Sequence, residues 1–190
     1  MYLKFAEYSI TKETTKENFN LDQTILNQED RKPDVKDIAS ITIKLRSERV
    51  EHIYLIKRNK VIAWFPGNQN SVEIPDAQLL RFSDGLVLHN HPNGTSFSFE
   101  DIKQIVSYNV KEMRLFTPNN TFIIKRPKSG WNINFHENNV IDAYNQVYGE
   151  IKEVLDRAYS DGDMTLKEIE ATENHLVWQR FFAKFDIHYK

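Results

Sequence analysis

The chain has 190 residues, no cysteine and a formal net charge of −2, with 40% apolar and 27% charged residues. That is ordinary globular composition, long enough for one core-forming domain with extensions. It excludes disulfides, thiolate metal sites, the Cys-x-x-Cys of zinc deaminases, and a basic field for nucleic acid or an anionic membrane.

No apolar stretch approaches the roughly 18 residues of a membrane span. Met1–Glu7 lacks the basic-then-apolar order of a secretory signal. The expectation is a soluble cytoplasmic protein with neither nucleic acid nor membrane as a partner. Residues 1–37 are polar and read as an N-terminal arm, with Leu21, Ile25 and Leu26 enough for a docking turn. Residues 38–135 read as the core domain, and residues 136–190 as a helical extension packed on it.

Ile41-Thr42-Ile43-Lys44-Leu45 alternates and suggests a first strand, although Ile38 and Ala39 suit the start of a short helix equally well. Val50–Ile56 and Val61–Phe65, joined at Arg58-Asn59-Lys60, read as a hairpin. Gln69–Ile74 is a loop or short strand, and Pro75–Phe82 a helical turn or a loop. Gly85–Leu88 is a short buried strand that ends in His89-Asn90-His91-Pro92. A polar turn, Asn93-Gly94-Thr95-Ser96, follows.

Ser98 reads as a helix N-cap with Asp101 at the third helical position, ahead of an apolar face of Ile102, Ile105 and Val106. Val110–Phe116 and Thr121–Lys125 form a second hairpin. Asn138–Tyr159 is a helix with Val140, Tyr144, Val147, Tyr148, Ile151, Leu155 and Ala158 at helical spacing. Asp161-Gly162-Asp163 breaks it and lacks the ligand ladder of a calcium loop. Thr165 caps a last helix through Phe185, carrying Leu166, Ile169, Leu176, Phe181, Phe182 and Phe185.

The chemistry concentrates at His89, His91 and Asp101. Histidines at i and i+2 of an extended segment share one side. A strand end and a helix start thus deliver two imidazoles and a carboxylate, which leaves a fourth position open, as a catalytic zinc requires. Each part has a plainer reading: His-x-His as packing, Ser-x-x-Asp as a capping box. His52 and His175 read as packed histidines, His175 with an alternative place near the cleft.

His89-x-His91-Pro92, a short loop, then Ser98-x-x-Asp101 resembles the JAB/MPN zinc metallopeptidase motif. It is most similar to bacterial RadC-like and phage-associated members, and the likeness covers about residues 48 to 131. The loop between His91 and Ser98 is one residue shorter than the common pattern. The resemblance implies an α/β fold of the cytidine-deaminase-like kind, a mixed, curled sheet flanked by helices. It implies zinc held by His89, His91 and Asp101, with Ser98 supporting the oxyanion and an upstream glutamate as general base. That base is Glu51 by the phage-associated spacing and Glu48 by the longer RadC-like spacing; Glu51 is preferred. On a strand the two would point to opposite sides.

The implied activity is hydrolysis of a peptide or isopeptide bond in a peptide or protein substrate, a ubiquitin-like tail among the candidates. The alternative is a non-catalytic JAB-fold binding or assembly module of phage or mobile-element origin. A nuclease reading of the letters His-Asn-His fails, because the residues that name that family are not contiguous.

Overall fold

The computed structural model describes residues 37–190, so of the arm expected over residues 1–37 only Asp37 falls within it. In chain order the elements are α1 (Ile38–Ser47), β1 (His52–Lys57), β2 (Lys60–Pro66), α2 (Asp76–Leu79) running into a 3-10 turn (Leu80–Phe82), and β3 (Leu86–Asn90). Then come α3 (Phe99–Ser107), β4 (Glu112–Phe116), β5 (Thr121–Lys125), α4 (Asn138–Ser160) and α5 (Leu166–Ala183). The fold is α/β: among the described residues five strands form one mixed sheet in the order β2-β1-β3-β4-β5, parallel between β3 and β4 and antiparallel at the other pairs.

The segment Ile41–Leu45 is helical, which decides between the strand and the short helix that its residues left open. Asp37 caps α1, its side chain accepting from the Ser40 amide at 2.9 Å. Ile41 and Leu45, four residues apart, are buried, while Ile43 between them is 72% exposed. The period-2 alternation Ile41/Ile43/Leu45 was a by-product of the helical pair Ile41/Leu45. Both hairpins form. Arg58 and Asn59 take positive φ, as a two-residue hairpin loop of the primed type requires. Gln69–Ile74 contains no strand, and Pro75–Phe82 is the short helix and 3-10 turn.

β1 is buried along almost its whole length because both faces of the sheet are covered. On one face, Ile41 and Leu45 of α1 pack on Tyr54, Ile56, Leu88 and Phe116. On the other lie Ile53, Leu55, Val87, Met113 and Leu115. They are covered by Phe97, Ile102 and Ile105 from the motif segment, and by Val147, Trp178 and Phe181 of the last two helices. Leu166, expected on the buried face of α5, is exposed; Val177 and Trp178 are buried instead. Trp178 donates from Nε1 to the Phe97 carbonyl at 2.7 Å. Residues 136–190 thereby hold the loop that joins β3 to α3.

Candidate metal centre

Strand register builds this site. Ile53 of β1 pairs with His89 of β3. Glu51 and Ile53 share a parity, as do His89 and His91, so all four point to the face covered by α3. Glu48 is not on the strand: it caps the C-terminus of α1. Its Oε2 lies 3.8 Å from His52 Nε2 on the far face. Of the two candidate glutamates, Glu51 is the one beside the histidines.

Ser98 and Asp101 form a reciprocal capping box at the start of α3. Asp101 Oδ2 accepts from the Ser98 amide at 2.7 Å and from Ser98 Oγ at 2.8 Å. Those bonds turn the carboxylate inward and leave Oδ1 free of them. Oδ1 lies 4.0 Å from His89 Nε2, and Oδ2 lies 3.4 Å from His91 Nε2. Glu51 Oε2 lies 3.8 Å from His89 Nε2. One ligand atom each from Glu51, His89 and His91 falls within 4.8 Å of the others.

All four side chains are buried: Glu51 is 4% exposed, His89 0%, His91 5% and Asp101 1%. Glu51 Oε2, His89 Nε2 and Asp101 Oδ1 have no hydrogen-bond partner among the described residues. Leaving one such atom unpaired is costly, and three facing one another call for a shared partner. The imidazoles are already oriented for one. His89 Nδ1 is 2.8 Å from the His52 carbonyl. His91 Nδ1 is 3.1 Å from the Ser96 carbonyl. A carbonyl only accepts, so each Nδ1 carries the proton and each Nε2 turns a lone pair inward. Metal-binding histidines are held in this way.

Electrostatics agree. Burial, and then the Asp101 carboxylate, push Glu51 up to about 8. Burial, and then His91, push His89 down to about 4, so its ring is neutral at physiological pH. With its value near 8, Glu51 is protonated at neutral pH in the metal-free chain, and a bound cation would favour its carboxylate form. Tetrahedral zinc bonds of about 2.0–2.1 Å put ligand atoms about 3.3 Å apart. Glu51, His89 and His91 each offer one atom within 4.8 Å of the others, whereas Asp101 faces the two imidazoles with different oxygens, at 4.0 Å and 3.4 Å. Gathering Asp101 onto the same ion therefore requires these side chains to draw together. The donor set fits a divalent ion of the nitrogen- and oxygen-loving kind.

Ser98 adjoins the site with its hydroxyl proton directed to Asp101. His52 stacks on Trp64 on the opposite face. His175 bonds Tyr189 and packs on Phe122. Sequence reasoning missed the contacts that orient the histidines, since their acceptors are main-chain carbonyls. It also missed Asn90, the middle residue of the motif.

Comparison of the chain with protein-family models, with curated proteins and with solved structures finds no match.

Proposed function

We propose that this protein is a zinc-dependent metallopeptidase of JAB/MPN type, hydrolysing a peptide or isopeptide bond. The observation that carries the reading is the convergence of three unpartnered buried atoms, Glu51 Oε2, His89 Nε2 and Asp101 Oδ1, with both imidazoles preset. His89, His91 and Asp101 would hold the ion, and Ser98 fixes Asp101 for that role. Bound zinc would supply a Lewis acid for the substrate carbonyl and lower the pKa of a water toward 7.

Glu51 then takes the proton from the attacking water and passes it to the leaving amine. Its position beside His89, just ahead of β1 rather than on the ligand-bearing helix, suits a base. Ser98 supports the developing oxyanion if its hydroxyl turns away from Asp101. A donor of that kind contributes roughly 3 kcal/mol. The substrate is a peptide or protein, with a ubiquitin-like tail as the first class to try, and the compartment is the cytoplasm.

The test is metal analysis coupled to hydrolysis of a peptide library and of isopeptide-linked substrates. The protein should hold one zinc per chain, His91→Ala should lose it, and Glu51→Gln should keep it while losing turnover. A Glu51→Gln protein as active as the parent would remove the assigned base. The second reading is a non-catalytic binding module, favoured by the Ser98 hydroxyl already committed to Asp101. Absence of zinc from the purified protein, with no uptake on titration, would favour it.

A further inference from the structure

The chain around Glu51 is not in a ladder. Pairing of β1 with β3 stops at Ile53 and His89. Beyond it the side chain of Asn90 takes over. Asn90 Oδ1 accepts from the His52 amide at 2.8 Å, and Nδ2 donates to the Val50 carbonyl at 3.0 Å. An amide N–H only donates and a carbonyl only accepts, so the orientation of the Asn90 amide is forced. The group is 1% exposed.

From the other side, the Glu51 amide donates to the Asn68 carbonyl at 2.7 Å, and the Glu51 carbonyl accepts from the Gly67 amide at 2.8 Å. Four consecutive polar groups, from the Val50 carbonyl to the His52 amide, are thereby fixed on both edges. Gly67 is required for that approach: a Cβ there would lie 2.1 Å from the Ser71 carbonyl oxygen and 3.0 Å from that of Glu51. The next acceptor, the His52 carbonyl, orients His89. The clamped groups flank Glu51, and the His52 carbonyl that orients His89 lies beyond the last of them, in β1.

We propose that Asn90 is a positioning residue for Glu51, holding its carboxylate beside His89 by gripping the main chain on either side of it. These two hydrogen bonds of the Asn90 side chain are to main chain, from the face of the sheet opposite the Glu51 carboxylate. The proposal rests on Glu51 acting as the base.

The experiment compares wild type, Asn90→Ala, Glu51→Gln and the double variant, each loaded with zinc. Asn90→Ala should lower kcat by about 100-fold, the effect of a misplacement of about 1 Å, with KM and zinc stoichiometry unchanged. Added to Glu51→Gln it should cost nothing more, since it acts through Glu51. Losses that add in the double variant, or an Asn90→Ala protein with wild-type kcat, overturn the proposal. Asn90→Ser serves the same cycle if the alanine variant does not fold.

A second readout needs no catalysis. In the wild type the His52 amide should exchange with solvent as slowly as the amides of the β1–β3 ladder, and quickly in Asn90→Ala. Fast exchange in the wild type means that the clamp does not exist. A wild type that hydrolyses nothing ends the peptidase reading. The clamp is then judged by His52 exchange and by displacement of Glu51 from His89 in a crystal structure of Asn90→Ala, where an unmoved Glu51 overturns it.

Discussion

At the scale of single residues, burial does most to set the chemistry. Glu51 is an ordinary glutamate until the fold removes it from water and sets Asp101 nearby; it then keeps its proton up to about pH 8 in the metal-free chain. An unfolded glutamate releases it near about 4.3. Between these values the folded state binds more protons, so stability falls as pH rises. His89 works in the opposite sense, its folded value of about 4 lying below the 6.5 of a free imidazole. Above pH 6.5 histidine is neutral in both states, so the window from there to about 8 isolates Glu51. Urea unfolding of chelator-treated protein across that window should show stability declining with pH, and Glu51→Gln should remove most of the decline. Equal slopes in the two proteins would mean that Glu51 is not buried as described. Zinc should abolish the decline in wild type, because the ion favours the carboxylate.

At the scale of elements, α1 shows how a short sequence can satisfy two periods. Ile41, Ile43 and Leu45 alternate like strand residues, yet a helix buries the first and last and leaves the middle one in water. The capping bond from Asp37 and the apolar face offered by Tyr54, Ile56, Leu88 and Phe116 decide the matter. Ile41→Ala should destabilise the protein by about 2–5 kcal/mol. Ile43→Ala should change stability by less than about 0.5 kcal/mol, as exposed substitutions do. A strand would bury both on one face, so equal losses measured by denaturant midpoint would contradict the helix. The motif helix α3 is the contrary case, since its cap and apolar face were both visible in the residues. There the Ser98–Asp101 box is the plainer, structural reading realised in full, and it also aims Asp101 at the histidines.

At the scale of the whole molecule, the site depends on parts distant in the chain. Glu51 enters from ahead of β1, the histidines from the end of β3, and Asp101 from α3. The loop between β3 and α3 carries the carbonyl that orients His91, and α5 holds it through Trp178. The C-terminus adds a further tie, with Lys190 and Ile123 exchanging backbone hydrogen bonds along the free edge of β5. Trp178→Phe keeps an aromatic ring in the core but leaves the buried Phe97 carbonyl without its donor. It should cost about 1–3 kcal/mol. Because that loop also orients His91, the variant should bind zinc more weakly than wild type in a competition titration. Unchanged zinc affinity would separate the helical extension from the centre.

Much of this architecture was legible residue by residue. The two hairpins, the strand that ends in the histidines, the capped motif helix and the long helix from Asn138 follow from periodicity and turn chemistry over a few neighbouring positions. The same local rules paired two imidazoles with one carboxylate. They preferred Glu51 to Glu48 only through the spacing of the family resemblance, and they did not find the Asn90 clamp or link Trp178 to Phe97. Those belong to register and packing: which residue lies opposite His89, where the first helix stops, and which carbonyl a tryptophan meets. Local propensity acts through adjacent backbone and side chains and is therefore written along the chain. The placing of distant groups within a few ångströms is set by strands pairing and helices closing over them, and only the folded arrangement decides it.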